Sequence, residues 1–185
     1  MTMASGVARL DEQRVDDLLP QLRAASMRLL TAVLRLGDDE LSASARSALG
    51  TRRHVIARMA RRADRTVRAL DGEDGPEPAD RLLALAPADL VAALTSSLGG
   101  VLGALAEHAS GMRPTSPAAR LALAHAREHL AWLELSHVDL HVGYDMHDIP
   151  DASLDAVAAH FRDARDPSAA SAPAGSSPFA PLIAD

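Results

Sequence analysis

The sequence predicts an all-α fold, an antiparallel bundle of four helices, and three observations predict it. Apolar residues recur at helical spacing over four long stretches, and Gly- and Pro-bearing connections separate those stretches. Beyond Asp166 the chain turns into an Ala/Ser/Pro run, D-P-S-A-A-S-A-P-A-G-S-S-P, which cannot bury a core. The expected organisation is one domain over residues 1–165 and a disordered tail over 166–185, within the size one hydrophobic core supports.

The first helix is expected over residues 10–36, with Leu18, Leu22, Leu29, Val33 and Leu36 on one face, Gly37 as its stop and Pro20 marking a start or a kink. A polar connection follows. The second helix spans about 52–70 with Thr51 as N-cap, and Val55, Ile56, Met59, Ala60, Ala63, Val67 and Leu70 form its apolar arc. Seven Arg lie between positions 52 and 68, and Arg58, Arg61, Arg62, Arg65 and Arg68 fall opposite that arc, which reads as a solvated basic face. The acidic D-G-E-D-G-P-E-P-A-D run is a loop. Pro87 suits the first turn of a third helix reaching Ala109. Its apolar core, Leu90 to Ala106, is short for a membrane span and carries Thr, Ser and three Gly, so a buried helix is expected and no membrane partner. Ser116-Pro117 reads as N-cap and first helical position of a fourth helix running to Val142, with Gly143 as a left-handed cap. A short fifth helix starts at Asp151 or Ser153 and reaches Asp163.

Composition narrows the chemistry. There is no Cys, so no disulfide, thiolate metal site or cysteine nucleophile, and thiol chemistry would need a cofactor from outside. All 19 basic residues are Arg, which excludes a Schiff-base lysine. The net charge of −6 hides an asymmetry: residues 1–70 hold 13 Arg against 8 acids, the remainder 6 Arg against 17. An acidic whole speaks against a dedicated nucleic-acid binder. The first residues show no basic segment followed by an apolar one, so a cytoplasmic protein is expected.

The chemically distinctive side chains gather in W-L-E-L-S-H-V-D-L-H-V-G-Y-D-M-H-D-I-P, residues 132–150, which holds the single Trp, the single Tyr and three of the eight His. The run H-V-D-L-H-V-G-Y-D-M-H-D-I-P-D, 137–151, resembles the H-V-D-L-G-L-G-Y-x-x-x-D-W-P signature of the mycothiol-dependent maleylpyruvate isomerase family. Upstream, T-R-R-H-V-I-A-R-M-A-R-R-A-D, 51–64, is similar to that family's T-R-G-H-V-L-A-H-L-A-R-N-A-D. The resemblance covers about residues 10–160 and implies a DinB-like metal-binding four-helix bundle, as in the N-terminal part of the maleylpyruvate isomerases. The family's Pro-Gly-Trp turn is missing, and Leu49-Gly50 takes its place.

The resemblance implies a zinc held by one His of the second helix and a Glu and His spaced i, i+4 on the fourth, a spacing that puts two ligands on one helical face. His54 matches the first ligand. Trp132 and Ser136 occupy the other two positions, and neither is a zinc ligand, so stoichiometric zinc is not expected. Three arrangements stay open. Glu134 and His137 replace the pair beside His54, although the helical wheel sets Glu134 in a solvent-facing stripe with Arg120 and Arg127. Alternatively His129 joins His54 one turn deeper. Otherwise the pocket has lost its metal, and His125, His129, Trp132 and Ser136 line a half-apolar cavity for an organic ligand.

Three functional expectations follow. The first is a small-molecule isomerase or mycothiol-dependent transferase, with Arg58 clamping a substrate carboxylate and Asp139 orienting a site histidine. The second is catalysis without metal, using His54, His129 and Tyr144 as acid-base groups. The third is a non-catalytic small-molecule-binding or accessory protein that keeps the bundle. Each takes a small-molecule ligand.

Overall fold

A computed structural model describes residues 15–47, 49–73, 81–110 and 116–165, and the described chain is all-α: six helices, with no strand among these residues. Helix α1 spans Val15–Val33, α2 Asp38–Leu41, α3 Arg52–Leu70, α4 Pro87–Ala109, α5 Pro117–Leu140 and α6 Asp151–Arg165. A single 3₁₀ turn, Leu82–Ala84, leads into α4. The expected start of the first helix at residue 10 and the tail from 166 lie outside the described residues.

Local chemistry sets most of these boundaries. Pro20 sits inside α1 rather than at its start. The Oγ of Ser116 accepts from the Ala119 N–H at 3.1 Å and Pro117 opens α5, while Pro87 opens α4; proline there removes an N–H that would have had no intrahelical partner. The C-terminus of α5 differs from expectation. His141, not Gly143, takes the left-handed conformation that ends the helix, at φ 54, and Gly143 at φ 85 bends the loop beyond it. The connection before α3 is also more ordered than a polar run suggests. It contains α2, and it closes through Ala45 N–H to Gly50 C=O at 3.0 Å and Arg52 N–H to Ala43 C=O at 3.0 Å. Gly50 is required there: its φ is 133, and a Cβ would lie 2.9 Å from the His54 ring.

The four long helices share one core. α1 packs on α4 and α5, and α3 packs on the same two, while α6 covers α5 from outside. Leu22 and Leu29 of α1, Ile56 and Met59 of α3, Leu90, Leu94, Leu98 and Leu105 of α4 and Leu130 of α5 are all at most 1% exposed. Each such side chain contributes about 1.5–3 kcal/mol by leaving water. Helix α4 packs into the core through one face, Leu90, Leu94, Leu98, Val101 and Leu105, and its other face is left partly open. By length and composition it is one helix apolar enough to cross a membrane, with 33% of its most apolar window buried.

The second half of α5 is different: from Leu133 to Leu140 every residue is buried, among them Glu134, Ser136, His137 and Asp139. Asp139 is 0% exposed, and its carboxylate accepts from the Ser47 N–H at 2.8 Å and from Arg58 at 2.7 Å. Its backbone carbonyl takes the Arg46 N–H at 2.9 Å. This one residue therefore holds the 43–52 turn and α3 against the end of α5. Replacing a buried acceptor leaves its donors unmatched, so Asp139→Ala should cost roughly 3 kcal/mol, read as a lower urea midpoint, with Asp139→Asn recovering part of the loss.

Candidate functional site

The sequence-derived site residues do not meet in one place. His54 is exposed in the first turn of α3, where its Nδ1 faces the Thr51 hydroxyl at 2.8 Å and accepts from the Thr51 N–H at 3.2 Å. The ring thus caps its own helix in the position that Glu or Gln takes in a capping box. Glu134 is not part of a solvent-facing stripe. It is 1% exposed, and its carboxylate accepts from Arg28 at 2.6 Å, the Tyr144 hydroxyl at 2.6 Å and the Ser153 hydroxyl at 2.8 Å. The helical wheel missed this because it assumes one dry face, whereas α1 and α6 cover this half of α5 as well.

Those contacts bear directly on a metal. Both Glu134 oxygens are occupied, His54 is engaged by its own cap, and Trp132 and Ser136 stand where the resemblance implies a Glu and a His. Among the described residues no group of three or more His, Cys, Asp or Glu side chains stands where it could hold a metal ion. The residues present do not fit the zinc site that the resemblance implies.

Arg58 pairs with the Asp139 carboxylate at 2.7 Å, so the partner that Asp139 orients is an arginine rather than a histidine. The basic face of α3 is not simply solvated either. Arg62 lies 4.2 Å from the Trp132 ring centroid and pairs with Glu128, and Trp132 meets the His160 ring edge-on at 5.8 Å. His125 approaches Glu128 at 4.0 Å, and burial lowers its pKa while Glu128 opposes the shift. His129 is 1% exposed, and neither ring nitrogen has a hydrogen-bond partner among the described residues. Burial, reinforced by the Arg62 charge, lowers its pKa to about 3. The ring is therefore neutral at physiological pH and shielded from solvent. For Tyr144, burial and then its bond to Glu134 raise the pKa above the usual tyrosine range, so its hydroxyl stays protonated.

A cleft of about 630 Å³ opens elsewhere, between α1 and the loop after α5. On the α1 side stand Met27, Arg28, Thr31, Ala32, Arg35 and Leu36; facing them are Glu40, Arg52, His137, Val142 and Tyr144. His137 and Tyr144 form a stacked pair, with centroids 3.9 Å apart and planes 6° from parallel. Burial, then the Arg28 charge, lower the His137 pKa to about 4 against a weaker opposing effect of Asp148, so the pair is uncharged at neutral pH. Arg52 is fixed by donating to the carbonyls of Leu140 at 2.8 Å, His141 at 2.8 Å and Glu40 at 3.3 Å. Sequence reasoning included Tyr144 and His137 but missed Arg28, Arg35 and Arg52. Arg28 lies on α1 and Arg35 two residues past its last residue, Val33, and nothing in their spacing separates a cleft wall from a solvated face.

Comparisons with protein-family models, with curated proteins and with solved structures return no match.

The neutral buried histidines contribute to the pH dependence of folding. Between pH 6.5 and about 3 the unfolded chain binds a proton at residue 129 that the folded chain refuses, so acidification favours unfolding and the stability lost grows as the pH falls. From pH 7 to pH 5 His129 should account for about 2 kcal/mol of lost stability. Urea midpoints at the two pH values measure it, and His129→Leu should lose less stability between them by about that amount, with His137 still contributing; an equal loss in that variant would place the titration elsewhere.

Proposed function

We propose that the chain is a small-molecule-binding protein that works without a metal and takes its ligand in the cleft between α1 and residues 142–144. The observation that carries this reading is the cleft itself. Its volume, about 630 Å³, lies within the range of small-molecule sites, and it sets a few fixed polar groups against an apolar wall. Met27, Ala32, Leu36 and Val142 supply the apolar part, and Arg28, Arg52 and Tyr144 are held by bonds to the protein before any ligand arrives. Such preorganisation lowers the ordering cost of binding.

The proposal includes a fold: the antiparallel four-helix bundle of the DinB type, with α1, α3, α4 and α5 as its four helices. Two features support it, the mutual packing of these helices around one core and the two segments resembling the maleylpyruvate isomerase family. The isomerase or mycothiol-dependent transferase activity implied by that resemblance rests on those segments alone. The cleft reading rests on geometry instead and leads.

Amide shifts of isotope-labelled protein titrated with a library of small acids, amines and neutral compounds test the reading. Binders should perturb residues 27–36 and 142–144, and Ala32→Phe, which puts a ring into the cleft, should abolish their binding while leaving the melting temperature within a few degrees. Binders that perturb only the His125, His129 and Trp132 face would overturn it. So would the finding that binding requires stoichiometric zinc.

A further inference from the structure

Resting on the cleft reading, we infer that the ligand is an aromatic monocarboxylate whose ring extends the Tyr144–His137 stack and whose carboxylate lies on Arg35.

The charge inventory gives the sign and the number. Arg28 is neutralised by Glu134 at 2.6 Å. Arg52 and Glu40 both border the cleft with opposite charges, and each is already engaged, Arg52 on three carbonyls and Glu40 on the Gly37 N–H at 2.9 Å. Arg35 is exposed, lines the cleft and makes no ion pair among the described residues. The excess is thus one positive charge. A dianion would face Glu40 without a second free cation. The planar guanidinium fork matches a carboxylate through two parallel N–H bonds.

The stack gives the shape. One face of Tyr144 is covered by His137 at 3.9 Å, and the residue borders the cleft and is only partly buried. Its hydroxyl is tied to Glu134 at 2.6 Å, which fixes the plane against which a ligand would lie. A flat π system adds a third layer to such a stack at little cost in ordering. Across the cleft the Met27 thioether suits a ring edge better than an alkyl chain would require.

Calorimetric titration of the full chain with four probes tests this: 2-naphthoate, its saturated decalin carboxylate, 2-naphthamide and inorganic phosphate. Naphthoate should bind at least about tenfold more tightly than each of the other three, and Arg35→Gln should lower its affinity about tenfold while leaving the naphthamide affinity unchanged. Tyr144→Phe keeps the ring and should keep the preference for naphthoate over the decalin acid, whereas Tyr144→Leu should erase it. Folding of each variant is checked by its thermal transition, and the Phe variant keeps the comparison usable should the Leu variant not fold. Equal binding of the two acids in the native chain would overturn the aromatic ligand and leave the cleft reading intact. Tighter binding of phosphate, or an undiminished affinity in Arg35→Gln, would overturn the carboxylate. Failure of all four probes alongside a binder of another class mapped to residues 27–36 would overturn this inference alone; failure with no binder mapped to the cleft would overturn both.

Discussion

Two carboxylates on α5, Glu134 and Asp139, are taken wholly out of water, and the arrangement of the other elements follows from where their donors come from. An ionic group in a protein interior is tolerated only when its oxygens are matched by hydrogen bonds. Here the donors are drawn from distant parts of the chain. Glu134 takes Arg28 from α1, Tyr144 from the loop after α5 and Ser153 from α6, while Asp139 takes Arg58 from α3 and Ser47 from the 43–52 turn. Apolar packing brings these helices together. The carboxylates determine the register at which they stop, because a slip of one helical turn would leave a buried charge without partners.

The same pairing shapes the cleft. Arg28 and Tyr144 stand on opposite walls and share one buried carboxylate, so the distance between the walls is set by Glu134 rather than by any contact across the opening. Ser153 adds the first turn of α6 to the same oxygen cluster. The cleft walls are therefore fixed by the protein's own bonds, and Arg35, which lines the cleft and makes no ion pair among the described residues, is the group the proposed ligand would meet.

The residues that invite a metal reading each have a partner within the protein. His54 caps α3, Glu134 joins three elements, Asp139 anchors a turn, and Arg58 answers Asp139. Their residue types suit a site, yet the same types suit buried polar matching. Nothing in the spacing i, i+3 or i, i+4 separates a ligand pair from a network member, because both uses require side chains on one helical face. His129 illustrates the other side of the problem: a histidine on a helix reads as reactive, and in place it is a neutral part of the core.

By itself the sequence determined the helical class, the apolar arc of α3 and the places where α3, α4 and α5 begin, because these depend on interactions within about four residues: Thr51, Pro87 and Ser116-Pro117 act on the turn beside them. It also placed the distinctive residues at the end of α5, where Tyr144 and His137 do border the cleft. What those side chains face was decided only by the tertiary structure. A wheel drawn for one helix assigns one face to the core and the other to water, and α5 from Leu133 to Leu140 has no watery face. Arg28 and Glu134 are 106 positions apart, and the cleft walls are separated by most of the chain, so their pairing exists only once α1 and α5 have packed.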